Sequence, residues 1–184
     1  MRLRVLFYKS KWGDGHWIDN IISLWTRSEY SHVEMWLPDD MGFFFRVASQ
    51  CVDLADTGHR GTCWTSTMRG DDNGTVSRDA SGVIKDSKRW EYIEVEITGE
   101  DETNYLMNYM QRKVAHNKGY SKWDLMKFVS PVHFPDNDRQ ICSEFCNDAL
   151  VLGGVVDGLG IVSPGQLFKK LTEKGYKKES LAII

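Results

Sequence analysis

The sequence has no excess of positive charge: Lys and Arg number 23 against 26 Asp and Glu, a formal net charge of −3. Proteins that grip nucleic acid or anionic lipid carry a basic stripe, so neither is an expected partner. No apolar run approaches the roughly 18 residues that a membrane-spanning helix needs, so no transmembrane segment is expected. The opening Met1-Arg2-Leu3-Arg4-Val5-Leu6-Phe7-Tyr8-Lys9 is too short an apolar stretch for a secretory signal and lacks a small-residue cleavage site. A cytoplasmic protein is the expectation. Proline is scarce, with four residues, and there is no low-complexity linker or internal repeat. The 184 residues are therefore expected to form a single domain over 1–184, long enough to bury a full core without staples.

Four cysteines are present, Cys51, Cys63, Cys142 and Cys146, but no C-x-x-C pair. That removes the usual mark of zinc ribbons and of thioredoxin-like redox sites. His59, between Cys51 and Cys63, completes no familiar ligand spacing. Asp71-Asp72-Asn73-Gly74 lacks the later glutamate of a calcium loop and reads as an ordinary turn. No metal and no cofactor are expected.

What is there is periodic. Residues 2–8 and Tyr30 to Leu37 alternate as strands, the second placing His32 and Glu34 on one face and Val33, Met35 and Leu37 on the other. Between them, Asp14 to Arg27 repeats its apolar residues at helical spacing. Residues 43–49, 62–68 and Trp90 to Ile97 read as further strands, and Gly70 to Ser87 as a polar loop or hairpin. The second half turns helical: about Glu102 to His116, Trp123 to Val129, Cys142 to Leu152, and a helix opened by Ser163-Pro164-Gly165-Gln166 and ended by Gly175. Strands followed by helices predict an α+β domain with an antiparallel sheet packed against helices.

The chemistry-bearing residue is Cys142, at the start of a helix. Backbone N–H groups there favour a thiolate, the nucleophilic form, and can receive the oxyanion of an acyl-transfer intermediate. A nucleophile needs a base, and of five histidines His32 is the one on a strand between apolar neighbours. Cys146, one turn further on, is expected in the core. Glu34 shares the face of His32, but an i, i+2 spacing of about 7 Å is long for contact, so it reads as a substrate-side or surface carboxylate.

Tyr30-Ser31-His32-Val33-Glu34 and Ile141-Cys142-Ser143-Glu144-Phe145 resemble the two signature blocks of permuted papain-fold cysteine hydrolases. That group is related to NlpC-type cell-wall peptidases and, more distantly, to lecithin:retinol acyltransferase. Gly82-Val83 before Trp90, Gly119-Tyr120 with Trp123-Asp124, and Ser163-Pro164 with Leu167 follow in the same order, so the similarity touches most of the chain. The resemblance implies a papain-like, circularly permuted NlpC-type fold, with Cys142 as nucleophile and His32 as general base. It implies a third, polar residue on the strand after the histidine strand. Ser49, Thr65 and Ser66 are eligible, and Ser66 aligns best. Tyr120 and Gln140 are candidate oxyanion donors; the one can equally pack and the other cap its loop.

The function so implied is hydrolysis of an amide, in a peptide or a peptidoglycan stem-peptide fragment, through a thioester. The resemblance fits a bacterial or phage-encoded protein, including one associated with a virion. Two other readings stay open: an acyltransferase or lipid deacylase with an acyl substrate bound along Trp12, Trp17, Trp25 and Trp36, and an inactive binding module on the same fold.

Overall fold

The computed structural model describes residues 1–10, 17–39, 59–68, 72–117, 119 and 140–181. The strand expected over 43–49 and the helix expected over 123–129 lie outside them, as does Tyr120. Among the described residues the chain is α+β, with six strands in one antiparallel sheet and helices packed on it.

In chain order the elements are β1 (Arg2–Lys9), α1 (Trp17–Thr26), β2 (Tyr30–Pro38), β3 (Gly61–Thr67), β4 (Gly74–Asp79), α2 (Ala80–Val83), a 3₁₀ turn (Ser87–Arg89), β5 (Trp90–Glu96), α3 (Glu100–Ala115), α4 (Cys142–Leu152), α5 (Pro164–Glu173) and β6 (Lys178–Ser180). The sheet order is β4-β3-β2-β1-β5-β6. β1 and β2 are its centre, which is why β2 is buried along its whole length.

Alternation along the strands feeds two cores. Leu3, Val5 and Phe7 of β1, Val33 and Met35 of β2 and Ile93 and Val95 of β5 face the helices. There they meet Leu106 and Met110 of α3, Phe145, Cys146 and Leu150 of α4, and Leu167 and Leu171 of α5. On the other face, Leu6, Trp36, Cys63 and Trp90 pack with Ala80, Ile84 and Leu181. Removing the side chain of a fully buried leucine such as Leu150 costs about 2–5 kcal/mol. Trp36, offered above as groove lining, belongs to this second core and donates its Nε1–H to the Arg60 carbonyl at 3.2 Å.

Of the two readings of Gly70 to Ser87, the hairpin is the one found: β4 turns back antiparallel on β3, and α2 and the start of the 3₁₀ turn follow it. β4 starts at Gly74 with φ +102°, where a Cβ would collide with the Asn117 side chain. That amide clips the hairpin to the end of α3, accepting from Thr75 N at 3.0 Å and donating to Asn73 O at 2.9 Å. The polar edge strand β6 is likewise a structural addition.

The two C-terminal helices start differently. Ser163 caps α5 and Gln166 returns to the Ser163 N–H at 2.8 Å, the capping box expected from the sequence. α4 is preceded by Ile141, whose side chain has no oxygen to offer the first-turn N–H groups. Glu144 reaches back to the Ile141 N–H at 3.4 Å, and Ser143 Oγ donates to the Val162 carbonyl at 2.5 Å.

Candidate active site

The sheet splits where the site residues collect. β2 and β3 pair from Met35–Trp64 to Pro38–Gly61, and there the ladder stops. Beyond that point β3 continues to Thr67 in pairing with β4, and β2 runs back to Tyr30 in pairing with β1. A side chain takes the place of the next rung: Thr65 Oγ1 donates to the Val33 carbonyl at 3.0 Å. α4 packs across both strands at this end.

On the face of the smaller core, His32 and Glu34 stand two residues apart on β2. Both are buried, at 4% and 1% exposure. His32 Nε2 lies 3.0 Å from Glu34 Oε1 and 3.4 Å from Thr65 Oγ1. Arg78 of β4 donates Nη2 to the same Glu34 Oε1 at 2.6 Å, and its Nη1 donates to Asp72 Oδ2 at 3.2 Å. Glu34 is thus neither a surface carboxylate nor out of contact, and the sequence expectation is corrected. The Cα separation along a strand is long, but strand side chains lean along the chain direction, and a glutamate and an imidazole close the gap between them.

A second polar group sits at the foot of α4, on the helix-bearing face. Ser66 Oγ donates to the Gln140 carbonyl. The Gln140 side chain accepts from Tyr109 OH at 2.6 Å and donates to Asp148 at 2.5 Å, tying α3 to α4. Tyr109 also stacks on Phe145, with ring centroids 5.8 Å apart. Ser66 therefore fixes the chain that leads into Cys142. Of the eligible hydroxyls, Thr65 is the one against His32, and Ser49 lies outside the described residues. The reason is strand alternation: Thr65 and Ser66, neighbours in β3, serve opposite faces of the sheet. Gln140 has both ends of its amide engaged within the protein.

Cys142 opens α4 and is 5% exposed. Cys146, a turn later, is in the core as expected. Burial drives its thiol well above the ordinary value, and the charges of Cys142, Glu34 and Cys63 push the same way. The Cys63 thiol is also raised, by burial first and then by Glu34, with Arg78 opposing. Both therefore stay protonated and unreactive at neutral pH. Through Cys146, the nucleophile candidate and the Glu34 carboxylate are within electrostatic reach of one side chain.

Two groups thus adjoin across β3. One is charged, with His32, Glu34 and Arg78; the other is largely neutral and carries Cys142. The Glu34–Arg78 contact spans 44 residues of sequence and follows from sheet order, which no local pattern announces. No helix among the described residues is long and apolar enough to cross a membrane. No family model matches the chain, and no curated protein matches it.

Proposed function

We propose that the protein is a cysteine hydrolase of the permuted papain-like kind, acting on an amide bond in a peptide or a peptidoglycan stem peptide. The observation that carries this reading is the buried His32–Glu34 pair at 3.0 Å, beside the split in the sheet onto which the Cys142 helix packs. A buried imidazole held by a carboxylate is the usual way to orient a general base. Glu34, rather than Ser66, is then the orienting residue. The α4 start supports the same reading, because Ile141 supplies no side-chain cap to N–H groups that an oxyanion would use.

In the reaction, His32 takes the proton of the Cys142 thiol through Nδ1, its other nitrogen being given to Glu34. The thiolate attacks the carbonyl carbon, a C–S bond forms, and the C–N bond breaks as His32 returns the proton to the leaving amine. Water, deprotonated by His32, then cleaves the thioester and releases the acid and the thiol. The reading requires the His32 ring to meet Sγ at the end of the sheet where the β2–β3 ladder has stopped.

The test is mass spectrometry of the protein after incubation with activated amides, stem-peptide fragments and short-chain acyl esters. Acylation confined to Cys142, turned over with peptides and absent in Cys142→Ala, is the expected result. Turnover of esters alone would replace the peptidase reading with a lipid deacylase. A folded protein that forms no adduct at Cys142 with any of them would overturn the proposal.

A further inference from the structure

Four side chains run in an unbroken line from the surface to the buried end of β2. Asp72, with a side chain 37% exposed, accepts from Arg78; Arg78, 27% exposed, donates to Glu34; Glu34 meets His32. Both contacts of the carboxylate fall on one oxygen. Arg78 Nη2 is 2.6 Å and His32 Nε2 3.0 Å from Oε1, while Oε2 takes no hydrogen bond from the described residues. Two donors on one oxygen compete for the same charge density, so whatever Arg78 does to Oε1 is felt by the imidazole.

We propose that Arg78 is a positioning residue for His32, acting through Glu34. It withdraws part of the carboxylate's charge, so that the imidazole gives up its proton nearer neutrality, and Asp72 governs how much of that withdrawal reaches the site. This rests on the reading of His32 as general base, and adds what sets its working range.

The physical need is plain. A carboxylate beside an imidazole favours its protonated form, and the more charge that carboxylate keeps, the further the imidazole moves from the range where it can serve as a base. A guanidinium stays charged throughout, so it lowers the proton affinity of His32 at every working pH. The other groups around this pair are Tyr8 of β1, whose hydroxyl accepts from Arg89 at 3.0 Å, Thr65 and Cys63 of β3, and Cys146 of α4; Asp79 at the end of β4 acts on Cys63, and Cys142 on Cys146. Among the described residues, Arg78 is the one cation that hydrogen-bonds Glu34. The side chain lies on β4, outside both blocks that carry the catalytic residues.

The sign distinguishes this role from a merely structural one. Removing the positive charge of Arg78 raises the His32 titration midpoint; removing the negative charge of Asp72 lowers it. The experiment is an NMR titration of the imidazole C2–H, assigned with His32→Ala, in the wild type, Arg78→Gln and Asp72→Asn. Arg78→Gln is expected to move the midpoint up by about one pH unit, the scale of a close charge partner. Asp72→Asn, at a more exposed position, is expected to move it down by about 0.3. An unmoved midpoint in Arg78→Gln, or shifts of the same sign in both variants, would overturn the proposal. Should Arg78→Gln not fold, Asp72→Asn decides: a downward shift supports the proposal and an unmoved midpoint overturns it. The titration needs no turnover, so its failure is separate from a failure of Cys142 to acylate.

Discussion

Glu34 and Glu91 make an instructive pair. Each is a glutamate on a strand next to β1, each is buried, and each receives more than one side-chain donor. Glu91 accepts from Tyr30 OH at 2.5 Å and pairs with Lys9 at 2.7 Å and Lys178 at 3.1 Å. Burial pushes its carboxyl up, but the bonds from Lys9, Tyr30 and Lys178 outweigh that and hold it below the ordinary glutamate value. None of its partners changes charge near neutral pH: the Lys9 ammonium is raised by the Glu91 bond, and burial, with Glu91, pushes the Tyr30 phenol far up. Glu91 is a pin that ties β1, β2 and β6 to β5. Glu34 has a histidine for a partner and an arginine competing for the same oxygen, and an imidazole is the side chain whose ordinary titration falls nearest neutral pH. Burial and ion pairing alone do not mark a functional carboxylate; the partner's titration range does.

The comparison breaks first under Glu34→Gln. The amide keeps the shape and loses the charge that orients the imidazole, and hydrolysis is expected to fall by about a hundredfold or more, with a small change in melting temperature. Steady-state rates beside thermal unfolding check this; an undiminished rate would move Glu34 to the structural side. Glu91→Ala should do the reverse. It leaves Lys9, Lys178 and Tyr30 without their shared acceptor and is expected to cost about 2 kcal/mol in denaturant unfolding, while Cys142 alkylates as in the wild type.

Acid sharpens the contrast further. The Glu91 carboxyl is depressed in the folded state, so the stability it supplies is complete above about pH 4.5 and drains away as pH falls below that through its folded value. Unfolding free energies measured from pH 6 to pH 3 should therefore fall more steeply in the wild type than in Glu91→Gln; parallel curves would contradict the assignment. The smallest effect is expected from Ser66→Ala. It removes one hydrogen bond at the foot of α4, about 1 kcal/mol, and leaves the pH dependence of Cys142 unchanged. A shifted pH profile would return Ser66 to the imidazole.

Much of this arrangement is legible in the sequence, and the rest fails for identifiable reasons. β1 and β2 are read from alternation, and α5 from Ser163 and Gln166, because each signal is local. α4 is placed at Cys142–Leu152 for the same reason. β4 escapes because Gly-Thr-Val-Ser-Arg-Asp has one large apolar residue; it is an edge strand that exists through its pairing with β3. β6 is short and wholly exposed, and is defined only by pairing with β5. In the site, residue positions are legible and partnerships are not. Glu34 shares a face with His32 on sequence grounds, but their contact depends on rotamers, and Arg78 arrives through sheet order. Thr65 and Ser66 are one residue apart and of similar chemistry, so only the strand's actual phase separates them.

The central claim is that the charged group on one side of β3 acts on the cysteine on the other. The most direct measurement is the pH profile of iodoacetamide alkylation at Cys142, read by mass spectrometry in the wild type and in His32→Ala. Coupling predicts a half-point well below the roughly 8.5 of a free thiol in the wild type and its loss in the variant. The same half-point in both proteins would contradict it, and would leave two adjoining clusters that do no chemistry together.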